Sequence, residues 1–119
     1  MIKIGIDVGS TTAKLVAVDE NDNLLFSKYE RHNAKAKETI LSFLKELLSE
    51  IGDKDISVRI TGSIGMGISE KCSLPFVQEV VAATNYVCRE HPHTATMIDI
   101  GGEDAKVVSF RTDRLQTCA

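Results

Sequence analysis

The chain has 119 residues, a length that allows one compact core and leaves little room for a second complete domain. Its net charge of −3 at pH 7 gives no electrostatic footprint for a nucleic-acid partner. No apolar run approaches the roughly 20 residues that span a bilayer, no signal peptide is expected, and the three cysteines form no C-x-x-C pair. The composition therefore predicts a soluble cytoplasmic protein without a membrane or nucleic-acid partner.

Three strands and a helix are predicted in the first half of the chain. The strand-like segments, separated by turn-forming residues, are Ile2–Asp7, Ala13–Asp19 and Leu24–Arg31. Apolar residues then recur at helical spacing, which predicts a helix over Ala34–Ile51. Asn33 is its predicted N-cap, and Gly52 its predicted C-terminal stop.

The second half predicts a strand, a loop, a helix and a hairpin. A β-branched strand over Ile56–Thr61 leads into a glycine-rich segment up to Gly67, which shows no helix-opening pattern and is predicted to be a loop. A helix over Glu79–His91 is stopped by Pro92, and a hairpin begins at Thr94. The histidines have no partner at metal-ligand spacing and are predicted to be surface residues: His32, His91 and His93.

An internal repeat is the strongest functional signal in the sequence. "GIDVGSTTAKLVAV" (Gly5–Val18) returns as "MIDIGGEDAKVVSF" (Met97–Phe110). Between Ile6–Val16 and Ile98–Val108, six of eleven aligned positions are identical. Each copy is typical of a strand that ends in Asp-x-Gly, a tight polar turn and a second apolar strand. Because both copies keep the Asp and Gly in register, we interpret them as two phosphate-binding hairpins rather than plain turns.

The first copy offers Asp7, Gly9, Ser10, Thr11 and Thr12 as candidate ligands of a metal-bound polyphosphate. The glycine is expected to allow a sharp turn, so that consecutive N–H groups face a ligand. The aspartate is suited to a hydrated divalent cation. Lys14 is left open, since a solvated lysine and a phosphate ligand fit the strand alternation equally well.

The second copy offers the corresponding residues Asp99, Gly101, Gly102, Glu103 and Asp104. A carboxylate at Glu103 would repel a γ-phosphate unless a metal ion intervenes, and a turn residue is an equal alternative for Asp104. Glu79 lies at the start of the second predicted helix, where a carboxylate suits the positive end of the helix dipole.

Paired Asp-x-Gly hairpins resemble the two phosphate motifs of the actin, sugar-kinase and heat-shock-chaperone ATPase superfamily. Within it, "GIDVGSTTAKLV" and "DIGGEDAKV" are most similar to the ATP-dependent activators of 2-hydroxyacyl-CoA dehydratases and benzoyl-CoA reductases. The resemblance implies an α/β, ribonuclease-H-like fold, a mixed sheet with helices on its faces. Residues 1–93 would form the first such domain, and 94–119 the opening hairpin of a second, truncated one.

The resemblance also implies the roles of the candidate residues. Asp7 and Asp99 would hold Mg²⁺ through water, and together with Glu79 they would be catalytic. Glu79 would orient the attacking water or contact Mg²⁺, and a purely structural role at the helix dipole is the alternative. ATP phosphates would contact the first loop (Gly9, Ser10, Thr11, Thr12), Lys14 and the second loop (Gly101, Gly102, Glu103, Asp104).

In the full-length parent, the same family implies a [4Fe–4S] cluster bridged across a homodimer and electron transfer to a dehydratase or reductase partner. The cluster ligands are expected beyond this chain, so Cys118 is not predicted to be one, and the fragment alone is expected to be inactive. Two alternatives remain: a sugar or acid kinase, and a nucleotide-gated structural or chaperone ATPase.

Overall fold

Strands β1 (Ile2–Val8), β2 (Thr12–Val18) and β3 (Leu24–Arg31) form the predicted antiparallel meander. A fourth strand, β4 (Ile56–Thr61), pairs in parallel with β1, so the order across the mixed sheet is β3-β2-β1-β4. The structure is a computed structural model that describes residues 1–110. It divides into two compact units, Met1–Val77 and a second unit that begins at Gln78.

The hydrophobic core of the first unit lies on one face of this sheet. Alternate residues of β1 and β2 are buried there, because successive side chains of a strand point to opposite faces. Helix α1 (Ala36–Ile51) contributes Phe43 and Leu47, each 1% exposed, to the same cluster. Val8 and Ala13, which flank the turn between β1 and β2, are fully buried. The two residues on either side of this turn are therefore firmly packed in the core.

Helix α1 begins later than the sequence predicts. Asn33 and Ala34 both have positive φ, 49° and 61°, and the Lys35 N–H donates to the His32 carbonyl oxygen at 2.7 Å. These residues form a tight turn, so Asn33 is not the N-cap, and no side chain caps the helix start at Lys35. The predicted stop at Gly52 is confirmed, with φ of 71° and its N–H bonded to a carbonyl of the last turn.

The glycine-rich segment contains a helix that the sequence did not predict. Helix α2 (Gly65–Cys72) follows β4 directly and ends at Ser73, which has left-handed backbone angles. A Cβ at Gly65 would lie 3.2 Å from the Ile60 side chain, so the small residue lets the helix pack closely on β4. Glycines have low helix propensity, which hid the helix from the sequence pattern; tertiary packing outweighs that propensity here.

The second unit contains helix α3 (Glu79–Glu90) and an antiparallel hairpin of β5 (Thr96–Ile100) and β6 (Ala105–Ser109). The helix ends just before Pro92, as predicted. None of the helices among the described residues has the length and apolar character needed to cross a membrane. A domain boundary after residue 93 remains a prediction. The division of the chain into two compact units falls between Val77 and Gln78.

Candidate functional site

The turn between β1 and β2 closes over four residues. The Gly9 N–H donates a hydrogen bond to the Thr12 carbonyl oxygen at 3.0 Å. Ser10 and Thr11 lie at the exposed tip, and within the described part of the chain their N–H groups donate to no acceptor. Outward-facing N–H groups and hydroxyls at a turn are the donors that a phosphate oxygen requires.

The glycines that open the two polar turns have ordinary backbone angles. Neither Gly9 nor Gly101 has a positive φ, and a Cβ at Gly9 would meet no atom closer than the Thr12 carbonyl oxygen at 3.9 Å. At Gly101 the nearest atom would be Asp104 Oδ1 at 3.4 Å. The sharp turns expected at these glycines are present, and they form without the positive φ that favours glycine. A Cβ at either glycine would make only ordinary van der Waals contacts.

The second hairpin repeats the geometry of the first. Asp99 pairs with Lys106 across β5 and β6, as Asp7 pairs with Lys14 across β1 and β2. Its turn is again closed by a hydrogen bond from the first N–H to the carbonyl oxygen three residues later, at 2.8 Å. The exposed tip consists of Gly102 and Glu103. The prediction of two β-turn-β units with equivalent aspartates is confirmed.

In the first hairpin, Lys14 lies on the same face of the sheet as Asp7. Its Nζ is 3.2 Å from Asp7 Oδ2 and 5.3 Å from the centre of the Tyr29 ring. The ammonium is thus held between a carboxylate and an aromatic face. A partly exposed cation beside the turn is available to an anionic ligand, and it also neutralises the aspartate when no ligand is bound.

In the second unit, two carboxylates lie close to the Lys106 ammonium. Its Nζ is 3.0 Å from Glu79 Oε2 and 3.8 Å from Asp104 Oδ2. The pKa of Lys106 is raised, chiefly by the hydrogen bond to Glu79, then by the charge of Glu79 and, more weakly, by Asp104 and Asp99. The structure therefore brings three predicted site residues to one lysine. Sequence reasoning did not single out Lys106, although the repeat aligns it with Lys14.

The loop after β4 closes against the end of β1. Gly62 has φ of 97°, and a Cβ there would lie 2.2 Å from the Val8 carbonyl oxygen and 2.8 Å from Asp7 Oδ1. The Ile64 N–H donates to that same Val8 carbonyl oxygen at 3.0 Å. The strand end that carries the candidate metal ligand is therefore fixed by two adjacent segments, the turn before β2 and the loop after β4.

A buried histidine supports the first turn from below. His32 is 3% exposed, so its prediction as a surface residue is wrong. Its Nε2 lies 2.8 Å from the Gly9 carbonyl oxygen, and its own N–H donates to the Thr11 carbonyl oxygen at 3.1 Å. The position of His32 beside the turn could have been inferred only from the strand pairing. His32 directly follows β3, and the last residue of β3 pairs with the first residue of β2.

Each unit supplies one carboxylate suited to a hydrated magnesium ion. Asp7 is the penultimate residue of β1, with its side chain 33% exposed, and Asp99 lies half-buried on β5. These positions fit Mg²⁺, which keeps several water ligands and needs only one or two carboxylates. Within residues 1–110, no group of three or more His, Cys, Asp or Glu side chains could hold a metal ion directly. Cys118 lies outside the described residues.

The sequence of the chain matches a known protein family. The sequence model of the BadF/BadG/BcrA/BcrD ATPase family matches residues 4–118. No curated protein sequence matches the chain. The chain is 28% identical to the activator of 2-hydroxyisocaproyl-CoA dehydratase from Clostridium difficile, solved with bound ADPNP, at a TM-score of 0.76. That match covers 95% of this chain and 42% of the activator.

Two further structures share the fold at lower identity. Component A of (R)-2-hydroxyglutaryl-CoA dehydratase from Acidaminococcus fermentans is 23% identical, with a TM-score of 0.76 over 94% of this chain and 44% of that protein. The ethanolamine utilization protein EutJ from Carboxydothermus hydrogenoformans is 14% identical, with a TM-score of 0.67 over 92% of this chain and 47% of that protein. The predicted ribonuclease-H-like, actin-type fold is confirmed. The chain spans less than half the length of each of these three structures.

Proposed function

Because the chain belongs to the BadF/BadG/BcrA/BcrD ATPase family, we propose that it forms the ATP-gripping part of an activator that drives a CoA-ester enzyme. The partner we propose is a 2-hydroxyacyl-CoA dehydratase or a related reductase, by analogy with the two activator structures described above. In the whole protein, two subunits would share a [4Fe–4S] cluster held by residues other than those described here. We place the protein in the cytoplasm.

The observation that carries this proposal is the matched register of the two hairpins. In each, an aspartate is the penultimate residue of the first strand, a lysine pairs with it across the ladder, and a polar tip is exposed to solvent. A catalyst of phosphoryl transfer needs donors for phosphate oxygens and a carboxylate for a cation, and little covalent chemistry besides.

The roles follow from the chemistry of each side chain. In the first loop (Gly9, Ser10, Thr11, Thr12), N–H groups and hydroxyls bind phosphate oxygens, and the loop Gly101, Gly102, Glu103, Asp104 serves the same purpose in the second hairpin. Magnesium, when bound through water to Asp7 and Asp99, supplies charge neutralisation at the phosphates. Glu79 orients the attacking water, and its ion pair with Lys106 holds the carboxylate in place.

Loss of the γ-phosphate removes contacts that the loops make only with ATP. In a protein that grips one nucleotide with two domains, such a loss changes the balance between conformations. We assign the electron delivery of the full-length protein to this change. A kinase would use the same loops to transfer the phosphoryl group to a carbon substrate.

The proposal is tested by replacing each aspartate in the full-length protein. Asp7→Asn and Asp99→Asn keep the side-chain shape and remove a charge, so each is expected to lower Mg-ATP turnover about 100-fold with little change in melting temperature. Phosphate release measures the turnover. The matched control is Asp53→Asn, which changes an exposed aspartate between α1 and β4 and should keep turnover within about twofold of wild type.

Unchanged turnover in both variants would mean that the two carboxylates serve only as turn residues. Product analysis then separates the activator from the kinase. An activator releases ADP and inorganic phosphate in equal amounts and raises the activity of an added dehydratase. A phosphorylated sugar or acid would contradict the proposal.

A further inference from the structure

His32 is placed by topology beside the first phosphate-binding turn. Thr12 and Arg31 form the end pair of the β2–β3 ladder, so the residue that follows Arg31 must lie next to the turn that precedes Thr12. The imidazole is buried, and a buried polar ring is stable only when its nitrogens are hydrogen bonded. Both of them are.

The hydrogen bonds define which nitrogen carries the proton. The Ala34 N–H donates to His32 Nδ1 at 3.2 Å, so Nδ1 is an acceptor. The ring proton is then on Nε2, which donates to the Gly9 carbonyl oxygen at 2.8 Å. The imidazole thus bridges the turn before α1 and the turn between β1 and β2.

The contact with Gly9 determines where the next N–H points. A trans peptide is planar, and its C=O and N–H point in opposite directions. When the Gly9 carbonyl is directed at His32, the N–H of Ser10 is directed away from the ring, at the exposed tip of the turn. In the described part of the chain this N–H has no protein acceptor.

We propose that His32 is a positioning residue that orients the Gly9–Ser10 peptide, so that the Ser10 N–H is preset to donate to a nucleotide phosphate. This role rests on the ATP binding proposed above. The buried ring acts through the backbone of the turn, at the Gly9 carbonyl oxygen. A preset donor loses less freedom on binding than one that must first rotate.

The backbone that carries His32 is itself held in an unusual conformation. Ala34 has φ of 61°, a region disfavoured for residues with a Cβ and used in tight turns mostly by glycine and asparagine. The Lys35 N–H closes this turn on the His32 carbonyl oxygen, and the Ala34 N–H binds the ring. The two bonds fix the imidazole from the side opposite the phosphate turn.

A pair of amide substitutions separates the two contacts of the ring. In His32→Gln the amide nitrogen reaches the position of Nε2 and can still donate to the Gly9 carbonyl oxygen. In His32→Asn the shorter side chain reaches only the position of Nδ1, where it can accept from the Ala34 N–H but cannot reach Gly9. Both variants retain a polar group in the same pocket, so a purely structural role predicts similar effects for both.

The measurements are KM and kcat for Mg-ATP and the melting temperature, all on the full-length protein. We expect His32→Asn to raise KM about five- to tenfold, the loss that follows from one hydrogen bond left unmade, with a small change in kcat. His32→Gln should restore KM to within about twofold of wild type. Equal KM values for wild type and both variants, or equal losses that track a falling melting temperature, would overturn the proposal.

Amide hydrogen exchange at Ser10 without nucleotide gives an independent measurement. His32→Asn should change the exchange rate of the Ser10 N–H relative to wild type and His32→Gln, because the peptide is no longer fixed. If wild type fails to bind ATP while this difference is present, the proposed function fails and the positioning by His32 stands. Identical Ser10 exchange in all three proteins would refute the positioning itself.

Discussion

Gly62 shows how a single residue can tie two segments together at the candidate site. It combines a positive φ with an approach to the Val8 carbonyl that leaves no room for a side chain. Neither property follows from the local pattern T-G-S-I-G-M-G, in which three glycines look alike. Only the position of β1, more than fifty residues earlier, distinguishes this glycine from the others.

Gly62→Ala is expected to destabilise the protein by about 3 kcal/mol, because a Cβ would overlap backbone atoms and the φ would be strained. The matched control is Gly67→Ala in α2, where a Cβ meets nothing within 4 Å. Alanine should there stabilise the helix by about 1 kcal/mol. Urea denaturation of both variants measures the two effects, and a tolerated Gly62→Ala would contradict the close approach described above.

The same distinction explains what the sequence could predict about the site. Asp7 and Asp99 were found because the repeat marks them in register within short segments. His32 and Gly62 were missed because their roles depend on contacts with residues 23 and 54 positions away, Gly9 and Val8 respectively. His32 was predicted to lie on the surface because it has no partner at metal-ligand spacing in the sequence. Its burial results from the pairing of β2 with β3, which places it beside the turn.

At the scale of elements, periodicity predicted the strands and the two longer helices well. Alternation places one face of β1 in the core, and helical spacing does the same for Phe43 and Leu47 of α1. The start of α1 and the whole of α2 could not be obtained in this way. One depends on a turn with two positive φ angles, and the other on close packing of glycine against β4.

The turn between β2 and β3 makes a pH-dependent contribution to stability. Asp19 Oδ1 accepts from the N–H groups of Asn21 and Asn23, and Oδ2 accepts from Asn23 Nδ2. These bonds lower the pKa of Asp19 below 3.8, with the Asn23 side chain as the largest cause. The unfolded chain therefore binds the proton more readily, and the stabilisation is lost as the pH falls below 3.8.

This predicts how Asp19→Asn changes the acid sensitivity of folding. Above pH 5 the difference in urea midpoint between wild type and the variant should be constant, because Asp19 is ionised in both the folded and the unfolded states. Below pH 3.8 the difference should shrink as the wild-type carboxylate is protonated. Asn23→Ala should reduce the lowering of the pKa, measured by carboxyl NMR titration. A difference that stays constant to pH 2.5 would contradict the linkage.

At the scale of the whole molecule, buried apolar residues are unevenly distributed. All twelve buried hydrophobic side chains of the described residues lie in Met1–Val77. Between Gln78 and Phe110 the one buried residue is Thr84. Three apolar side chains of the β5–β6 hairpin, Ile98, Ile100 and Val107, are 64% to 78% exposed.

We therefore expect the two units of the 119-residue chain to differ in local stability. Amides of β1, β2 and β4 should exchange with solvent only by global unfolding, whereas those of β5 and β6 should exchange at least tenfold faster through local opening. Hydrogen exchange followed by mass spectrometry resolves the two sets of peptides. Equal protection of Thr96–Ser109 and Ile2–Val18 would contradict the expected difference in local stability.

The position of Tyr29 gives the first hairpin an intrinsic optical signal. These 119 residues contain no tryptophan and two tyrosines, so their ultraviolet emission comes mainly from Tyr29 in the first unit and Tyr86 in the second. Tyr29 lies beside the Lys14 ammonium, and Tyr86 lies edge-on to His91. In a chain carrying Tyr86→Phe, Tyr29 would be the one remaining tyrosine, 5.3 Å from the lysine that pairs with Asp7, and its emission would respond to any rearrangement of that ion pair.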